Sequence, residues 1–222
     1  MFGLIRLAII FTFALFLSCS GNKNKELTLS EKSDNGLLTS FFQNSPDKKS
    51  SFVDTEKLLE AKAFCEKRNL DTTLAIFIDM GIHSGKYRFF IYDLQNEKIL
   101  HKGLCCHGAG KGSTCEKPVF SNEKGSNCTS LGKYKLGVRS YSNWGINIHY
   151  KMHGLEETNK NAFSRIVVLH SYDPVPDSEI YPLHLPMGWS LGCPVVSNDL
   201  MRKIDELLKD RKTEVLLWIY NV

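Results

Sequence analysis

The sequence predicts a mainly β protein, a sandwich or barrel with one helix ahead of it and one near its end. Three observations predict it. From residue 73 onward, short apolar runs rich in Val, Ile, Leu, Phe and Tyr recur between turns that carry Gly, Ser and Asn, which is the pattern of strands. Only two stretches have apolar residues at helical spacing, Phe52 to about Asn69 and Asn198 to about Lys209. The chain closes on Thr213–Tyr220, the most apolar run of the folded part. Strands that outnumber helices in this way have to bury their faces against each other, as sandwiches and barrels do.

Taken in order, the first helix has Val53, Leu58, Leu59, Ala63 and Phe64 as its apolar positions, with Lys and Glu between them. Thr73–Asp79 reads as a strand, Gly81–Lys86 as a turn, and Tyr87–Leu94 as the second arm of a hairpin. Ile99–Cys106 is a third strand. A loop rich in Gly, Ser and Lys follows, Gly108–Asn127. Its Gly108-Ala109-Gly110-Lys111-Gly112-Ser113 is no phosphate loop, because Gly112 separates the lysine from the serine and no helical pattern follows. Lys133–Val138, Ile146–Met152 and Arg165–His170 are further strands, and Val195-Val196 enters a short strand or turn. Ser197 or Asn198 can cap the second helix.

The first 51 residues belong to other business. Arg6 precedes the apolar run Leu7–Leu17, and Ser18-Cys19-Ser20-Gly21 follows it. A run this short with small residues behind it is a secretory leader rather than a membrane span. Leu17-Ser18-Cys19 approximates a bacterial lipobox, so residues 1–18 are expected to be a lipoprotein signal peptide and Cys19 the lipidated first residue. A plain leader with an incidental cysteine is the alternative. Residues 19–51 are polar and charged and read as a tether, with Leu37-Leu38 and Phe41-Phe42 as material for a short docking turn. Residues 52–222 are then one domain, long enough for a sizeable core. The net charge of +4 is mild and unclustered. It suits an ordinary solvated surface and gives no sign of nucleic-acid binding. A monomer is expected.

Chemistry concentrates near the C-terminus. Val167-Val168-Leu169-His170 reads as a buried strand that delivers an imidazole at its end. Gly188-Trp189-Ser190-Leu191-Gly192-Cys193-Pro194 reads as a tight loop that presents a thiol. Cysteine is among the most buried residue types, so a plain core thiol is the bland alternative, but core cysteines rarely sit in glycine-bracketed turns. The thiolate is the nucleophilic form of cysteine, and a histidine can take its proton and return it to a leaving amine. Gly192 lets backbone N–H groups come close to an oxyanion. Cys193 and His170 are therefore the candidate nucleophile and base, with Gly192, Ser190 and Ser171 in support. Ser171 either orients the imidazole or merely ends the strand. Tyr172, Trp189 and His184 are candidates for the cleft wall; His184 lies in the proline-rich Tyr181–Pro186 segment, which reads either as a lid or as a packed loop. His149 and His153 are left as surface or core residues. No metal or organic cofactor is needed for thiol chemistry.

Five other cysteines remain. Cys115 and Cys128 flank one polar loop and are the expected disulfide pair, in a protein whose export would permit one. Cys105-Cys106-His107 with Cys115 is the rival, as a zinc site, but it lacks the regular ligand spacing of structural zinc.

His170-Ser171 followed by Ser190-Leu191-Gly192-Cys193-Pro194 resembles the signature of the L,D-transpeptidase catalytic domain, the YkuD-like enzymes of bacterial peptidoglycan, in a divergent branch with a Ser-x-Gly-Cys-Pro loop. Gly154-Leu155-Glu156, Asn161-Ala162 and Arg165–His170 resemble that branch's approach to its histidine. His107-Gly108-Ala109-Gly110 and Thr129–Tyr134 resemble its earlier segments. The resemblance runs over roughly residues 75–220. It departs at Ser171, where many members have Gly, at Leu191, where the commoner loop has His, and at Val195, where it has Arg, and the gap between His170 and Cys193 is longer. The resemblance implies a YkuD-like β fold and a cysteine acyltransferase that acts on peptidoglycan stem peptides through a thioester. An amine acceptor gives cross-linking and water gives an L,D-carboxypeptidase. A catalytically inactive cell-wall-binding lipoprotein and a cysteine peptidase with another substrate are the remaining alternatives. The implied location is the bacterial cell envelope, membrane-anchored and facing the periplasm.

Overall fold

The structure is a computed structural model that describes residues 53–222. The expected signal peptide, the lipidation site Cys19 and the tether lie outside the described residues. The chain forms α1 (Thr55–Arg68), β1 (Leu74–Asp79), β2 (Phe89–Asp93), β3 (Lys98–Gly103), β4 (Gly132–Tyr141), β5 (Ile148–Gly154), β6 (Val168–Ser171), β7 (Val195–Val196), α2 (Asn198–Leu208) and β8 (Val215–Tyr220). The mainly β class holds, as does the placing of the two helices.

The strands make one eight-stranded sheet in the order β3-β2-β1-β8-β4-β5-β6-β7. It starts as the antiparallel meander β1–β2–β3, with Ile76 opposite Ile91. The last strand of the chain runs parallel to the first, Phe77 opposite Trp218, and β4 pairs antiparallel to it on the other side. β5 and β6 continue antiparallel, and β7 lies parallel to β6. Beyond β3, Cys106 bridges to Val195 of β7, its N–H donating to the Val195 carbonyl at 2.8 Å. The two ends of the sheet order therefore meet, and the sheet is nearly closed into a barrel.

The alternation of strand side chains divides the core in two. Val215, Leu217 and Ile219 of β8 and Leu74, Ile76 and Ile78 of β1 face an inner cluster that α2 fills with Leu200, Met201, Ile204 and Leu208. Leu216, Trp218 and Tyr220, with Ala75 and Phe77, face the opposite way, where α1 covers them with Leu58, Ala61 and Cys65. Both strands are buried on both faces, so their sequences read as continuous apolar runs rather than as alternation. Burying each leucine-sized side chain contributes about 1.5–3 kcal/mol.

The helix ends follow local chemistry. Asp54 caps α1 by accepting from the Glu56 N–H, and Asn69 ends it in the left-handed conformation that Asn tolerates. Its buried stripe is Leu58, Ala61 and Cys65, at i, i+3 and i+7, whereas Leu59 is 62 % exposed. Of the two cap candidates for α2, Ser197 is the one that caps, accepting from the Leu200 N–H at 3.2 Å. Among the described residues no helix is long and apolar enough to cross a membrane.

Candidate active site

β6 and β7 lie side by side, with His170 opposite Val195. Cys193 stands two residues ahead of β7, so the pairing carries the cysteine loop onto the flank of β6. The Val168 N–H points at the Cys193 sulfur, 3.5 Å away, and the thiol is within 4.0 Å of the Ile166 carbonyl. The His170 Nδ1 lies 2.9 Å from the Ser171 carbonyl oxygen. A carbonyl only accepts, so Nδ1 carries the proton and Nε2 of the neutral ring keeps its lone pair. Cys193, which is half-buried, and His170 both line one cleft of about 460 Å³.

Burial pushes the Cys193 thiol above its ordinary range, and the Val168 N–H and the nearby Arg165 guanidinium partly offset this. Burial lowers the basicity of His170, the bond to the Ser171 carbonyl restores some of it, and His149 on the adjacent strand lowers it further. Both shifts favour the neutral forms, a thiol and an uncharged imidazole that line one cleft.

The loop is closed by one hydroxyl. Ser190 Oγ accepts from the Gly192 N–H at 3.0 Å and donates to the Cys193 carbonyl at 2.6 Å. The Gly192 N–H is thus engaged inside the loop. Gly192 has φ +112°, and a Cβ there would lie 2.7 Å from the Cys128 carbonyl oxygen, so only glycine fits. Ser171 is fully buried; its carbonyl orients His170, while its hydroxyl accepts from the Ile146 N–H at 3.1 Å. Orientation therefore comes from the backbone and not from the side chain.

Arg165 is the principal residue that sequence reasoning left without a role. Its guanidinium donates to the Ser121 and Cys128 carbonyls at 2.9 and 2.7 Å, to Ser126 Oγ at 3.3 Å, and to Ser130 Oγ. It pins residues 121–130 beneath Gly192, where a Cβ would meet its Nη2 at 3.2 Å. The one hint in sequence is a cation placed directly before an apolar strand. The neighbouring Ile166 takes φ +60°, which costs a β-branched residue on the order of 1–2 kcal/mol. That turn aims its carbonyl at the Cys193 thiol.

Tyr172 and Trp189 line the cleft as expected, and so does His149, which lies opposite His170 across β5 and β6. His184 does not. Its ring stacks on His83 at 3.6 Å and its Nδ1 is 2.9 Å from Ser84 Oγ, because the Tyr181–Pro186 segment packs on the β1–β2 turn. His153 stacks on Phe163 at 4.8 Å, away from the cleft.

The expected disulfide is absent. Cys115 and Cys128 are both free thiols. Cys128 turns inward to the Ser126 carbonyl and packs against Gly110, whereas the Cys115 carbonyl accepts from Ser84 Oγ. Cys105 and Cys106 are buried thiols pushed up to about 12 by desolvation. His107 is held between the buried Arg88 and the Thr114 carbonyl. Among the described residues no group of three or more His, Cys, Asp or Glu is placed to hold a metal.

The sequence model of the L,D-transpeptidase catalytic domain matches residues 33–220. Curated proteins give no match. Among solved structures the chain is similar to the helical cell shape determining protein Pgp2 from Campylobacter jejuni, at 13 % identity over 67 % of this chain and 48 % of that one, with a TM-score of 0.43. It is also similar to Bd1075 of Bdellovibrio bacteriovorus, at 17 % identity over 69 % and 49 %, TM-score 0.42. The L,D-transpeptidase (residues 123–326) of Xylanimonas cellulosilytica aligns at 12 % identity over 71 % and 68 %, TM-score 0.36. The chain spans about half the length of the first two structures. With the family match running from residue 33 to residue 220 of 222, the chain belongs to the L,D-transpeptidase catalytic domain family.

Proposed function

We propose that this protein is a cysteine acyltransferase that acts on peptidoglycan stem peptides, with Cys193 as nucleophile and His170 as base and acid. One observation carries the reading: the two side chains line the same cleft, and the imidazole is oriented through Nδ1 so that its Nε2 is free to take a proton. In the first half-reaction the Cys193 sulfur attacks the stem carbonyl that precedes a terminal D-amino acid. The thiol proton passes to His170 Nε2 and the S–C bond forms. The proton then goes to the departing amine as the C–N bond breaks. The product is a thioester. In the second half-reaction an amine of a neighbouring stem attacks it and gives its proton to His170, which returns it to the sulfur. Water in the same place gives an L,D-carboxypeptidase.

We assign the oxyanion to the Cys193 N–H, since the Gly192 N–H is engaged by Ser190. Losing one such donor costs about 3 kcal/mol in the transition state. We further propose, from the apolar run Leu7–Leu17 and the Leu17-Ser18-Cys19 that ends it, that the chain is exported to the cell envelope, where lipidation of Cys19 would anchor it to a membrane facing the periplasm.

The test is incubation with isolated tetrapeptide stems and measurement of released D-alanine, alongside mass spectrometry after exposure to a carbapenem. Release by the wild type, its loss in Cys193→Ala, and a single adduct at Cys193 are expected. Undiminished turnover by Cys193→Ala refutes the nucleophile. An inert Cys193 with no turnover leaves the wall-binding alternative in its place.

A further inference from the structure

One wall of the cleft is aromatic, and the thiol chemistry does not use it. Trp144 stands edge-on to Tyr172 with ring centroids 5.6 Å apart, and Tyr172 stands edge-on to Trp189 at 6.0 Å. All three line the cleft that holds Cys193 and His170. Trp144 is 57 % exposed, which leaves a large apolar ring facing water beside the reacting groups. Such exposure at the mouth of a cleft marks a surface made for contact.

The indole is not on a loose loop. Trp144 N–H donates to Ser142 Oγ at 3.1 Å, and the Trp144 carbonyl accepts from the Asn147 N–H at 3.1 Å. Ile146 N–H ties the same turn to Ser171 Oγ, and a Cβ on Gly145 would lie 2.0 Å from that oxygen. The turn between β4 and β5 is therefore clamped onto β6 at Ser171, the residue after His170. A ring presented this rigidly loses little freedom when something docks on it.

The character of the wall selects the occupant. None of the described residues that line the cleft is Asp, Glu, Lys or Arg. Beside Trp144 stand Ser142 and Asn143, which are neutral hydrogen-bonding groups. An anion placed on such a wall would lose water without gaining a charged partner, and a cation would find ring faces but no carboxylate. A pyranose ring suits it: its C–H faces are apolar and flat enough to lie on an aromatic ring, and its hydroxyl and acetamido edges seek neutral donors and acceptors.

We propose that Trp144, Tyr172 and Trp189 form a subsite for the N-acetylhexosamine rings of a glycan strand. The enzyme then takes stems that are still attached to sugar in preference to free peptides. This rests on the peptidoglycan reading above, and it adds the half of the substrate that never reacts. Binding energy from such a remote part can be used to position the scissile carbonyl at Cys193.

Two measurements on the full chain test it. The first is titration with triacetylchitotriose, a neutral sugar with no peptide, followed by tryptophan fluorescence and saturation-transfer NMR. Saturable binding is expected, weakened at least about tenfold in Trp144→Ala and largely kept in Trp144→Phe. Absence of binding to the wild type, or equal binding by Trp144→Ala, overturns the subsite. So does capture of the protein by phosphatidylcholine vesicles that Trp144→Ala abolishes, with no response to the sugar, which would give the wall to a membrane. The second is the ratio of kcat/KM for a disaccharide-bearing tetrapeptide to that for the free tetrapeptide. About tenfold is expected in the wild type, falling towards one in Trp144→Ala. A wild-type ratio of one overturns the subsite while the acyltransferase reading stands. Sugar binding without turnover of either substrate overturns the acyltransferase reading and keeps the subsite.

Discussion

Ser190→Ala removes one oxygen that makes two bonds inside the candidate catalytic loop. Ser190 is 3 % exposed, its hydroxyl accepts from the Gly192 N–H at 3.0 Å, and it donates to the Cys193 carbonyl at 2.6 Å. A neutral hydrogen bond contributes about 1 kcal/mol net, and leaving a buried partner unsatisfied costs about 1–3 kcal/mol. Both partners here are backbone groups of residues 192 and 193, and water reaches them poorly. The expected loss is about 2–4 kcal/mol. A domain of this size loses roughly 2–4 °C in Tm per kcal/mol, so calorimetry should show a fall of about 4–16 °C. The same change loosens the nucleophile, and a displacement of about 1 Å can cost 10²-fold in rate. The second-order rate of carbapenem acylation at Cys193 is the matching readout, and Ser190→Thr, which keeps the hydroxyl, should recover most of both. A Ser190→Ala protein that melts with the wild type and acylates at its rate would refute the idea that this hydroxyl holds the loop.

Gly192→Ala should be more severe for activity than for stability. The φ of +112° and the Cys128 carbonyl 2.7 Å from a new Cβ imply about 1–3 kcal/mol of backbone strain, and acylation should fall about 10²-fold because residue 193 must shift; unaltered acylation would contradict this. Arg165→Met should destabilise by about 3 kcal/mol, because a charged donor is lost from several oxygens of the 121–130 segment; denaturant unfolding reads it, and Arg165→Lys should not restore it, since an ammonium cannot reproduce the guanidinium fork. Iodoacetamide modification of Cys193 should keep accelerating with pH up to and beyond the ordinary thiol range near 8.5, because burial disfavours the thiolate. A plateau at neutral pH would mean a stable thiolate–imidazolium pair. Turnover should hold on the acid side down to below the ordinary imidazole value of about 6.5, because a lowered pKa keeps His170 in its neutral, proton-accepting form there. Activity that falls off above pH 7 as the solution is acidified would count against His170 as the base.

Much of the site was legible because its signals are local. Glycines at 188 and 192 around a thiol announce a turn, and an apolar run that ends in His170 announces a strand end. Both residues line the cleft. Ser190 was picked for support, but its actual bonds depend on loop geometry that no spacing encodes. Arg165 and Trp144 escaped because each acts on something distant in sequence: the guanidinium on residues 121–130, the indole on Tyr172. For His184 the packed-loop reading holds, for the converse reason. A proline-rich segment near the cysteine loop in sequence packs instead on the turn after β1, where His83 stacks on it.

The order and type of the secondary elements are properties of short windows, and so is the amphipathic α2 with Ser197 at its head. Periodicity, caps and turn residues act over a few positions, which is why the chain alone suffices to specify them. The pairing of β8 with β1 and β4, the bridge from Cys106 to Val195, and the separation of Cys115 from Cys128 are different. They are settled when the apolar faces of the whole sheet are buried together, and that free energy is shared among residues more than a hundred positions apart. The cleft, its uncharged wall and the placing of Cys193 and His170 along that one cleft are products of that shared burial.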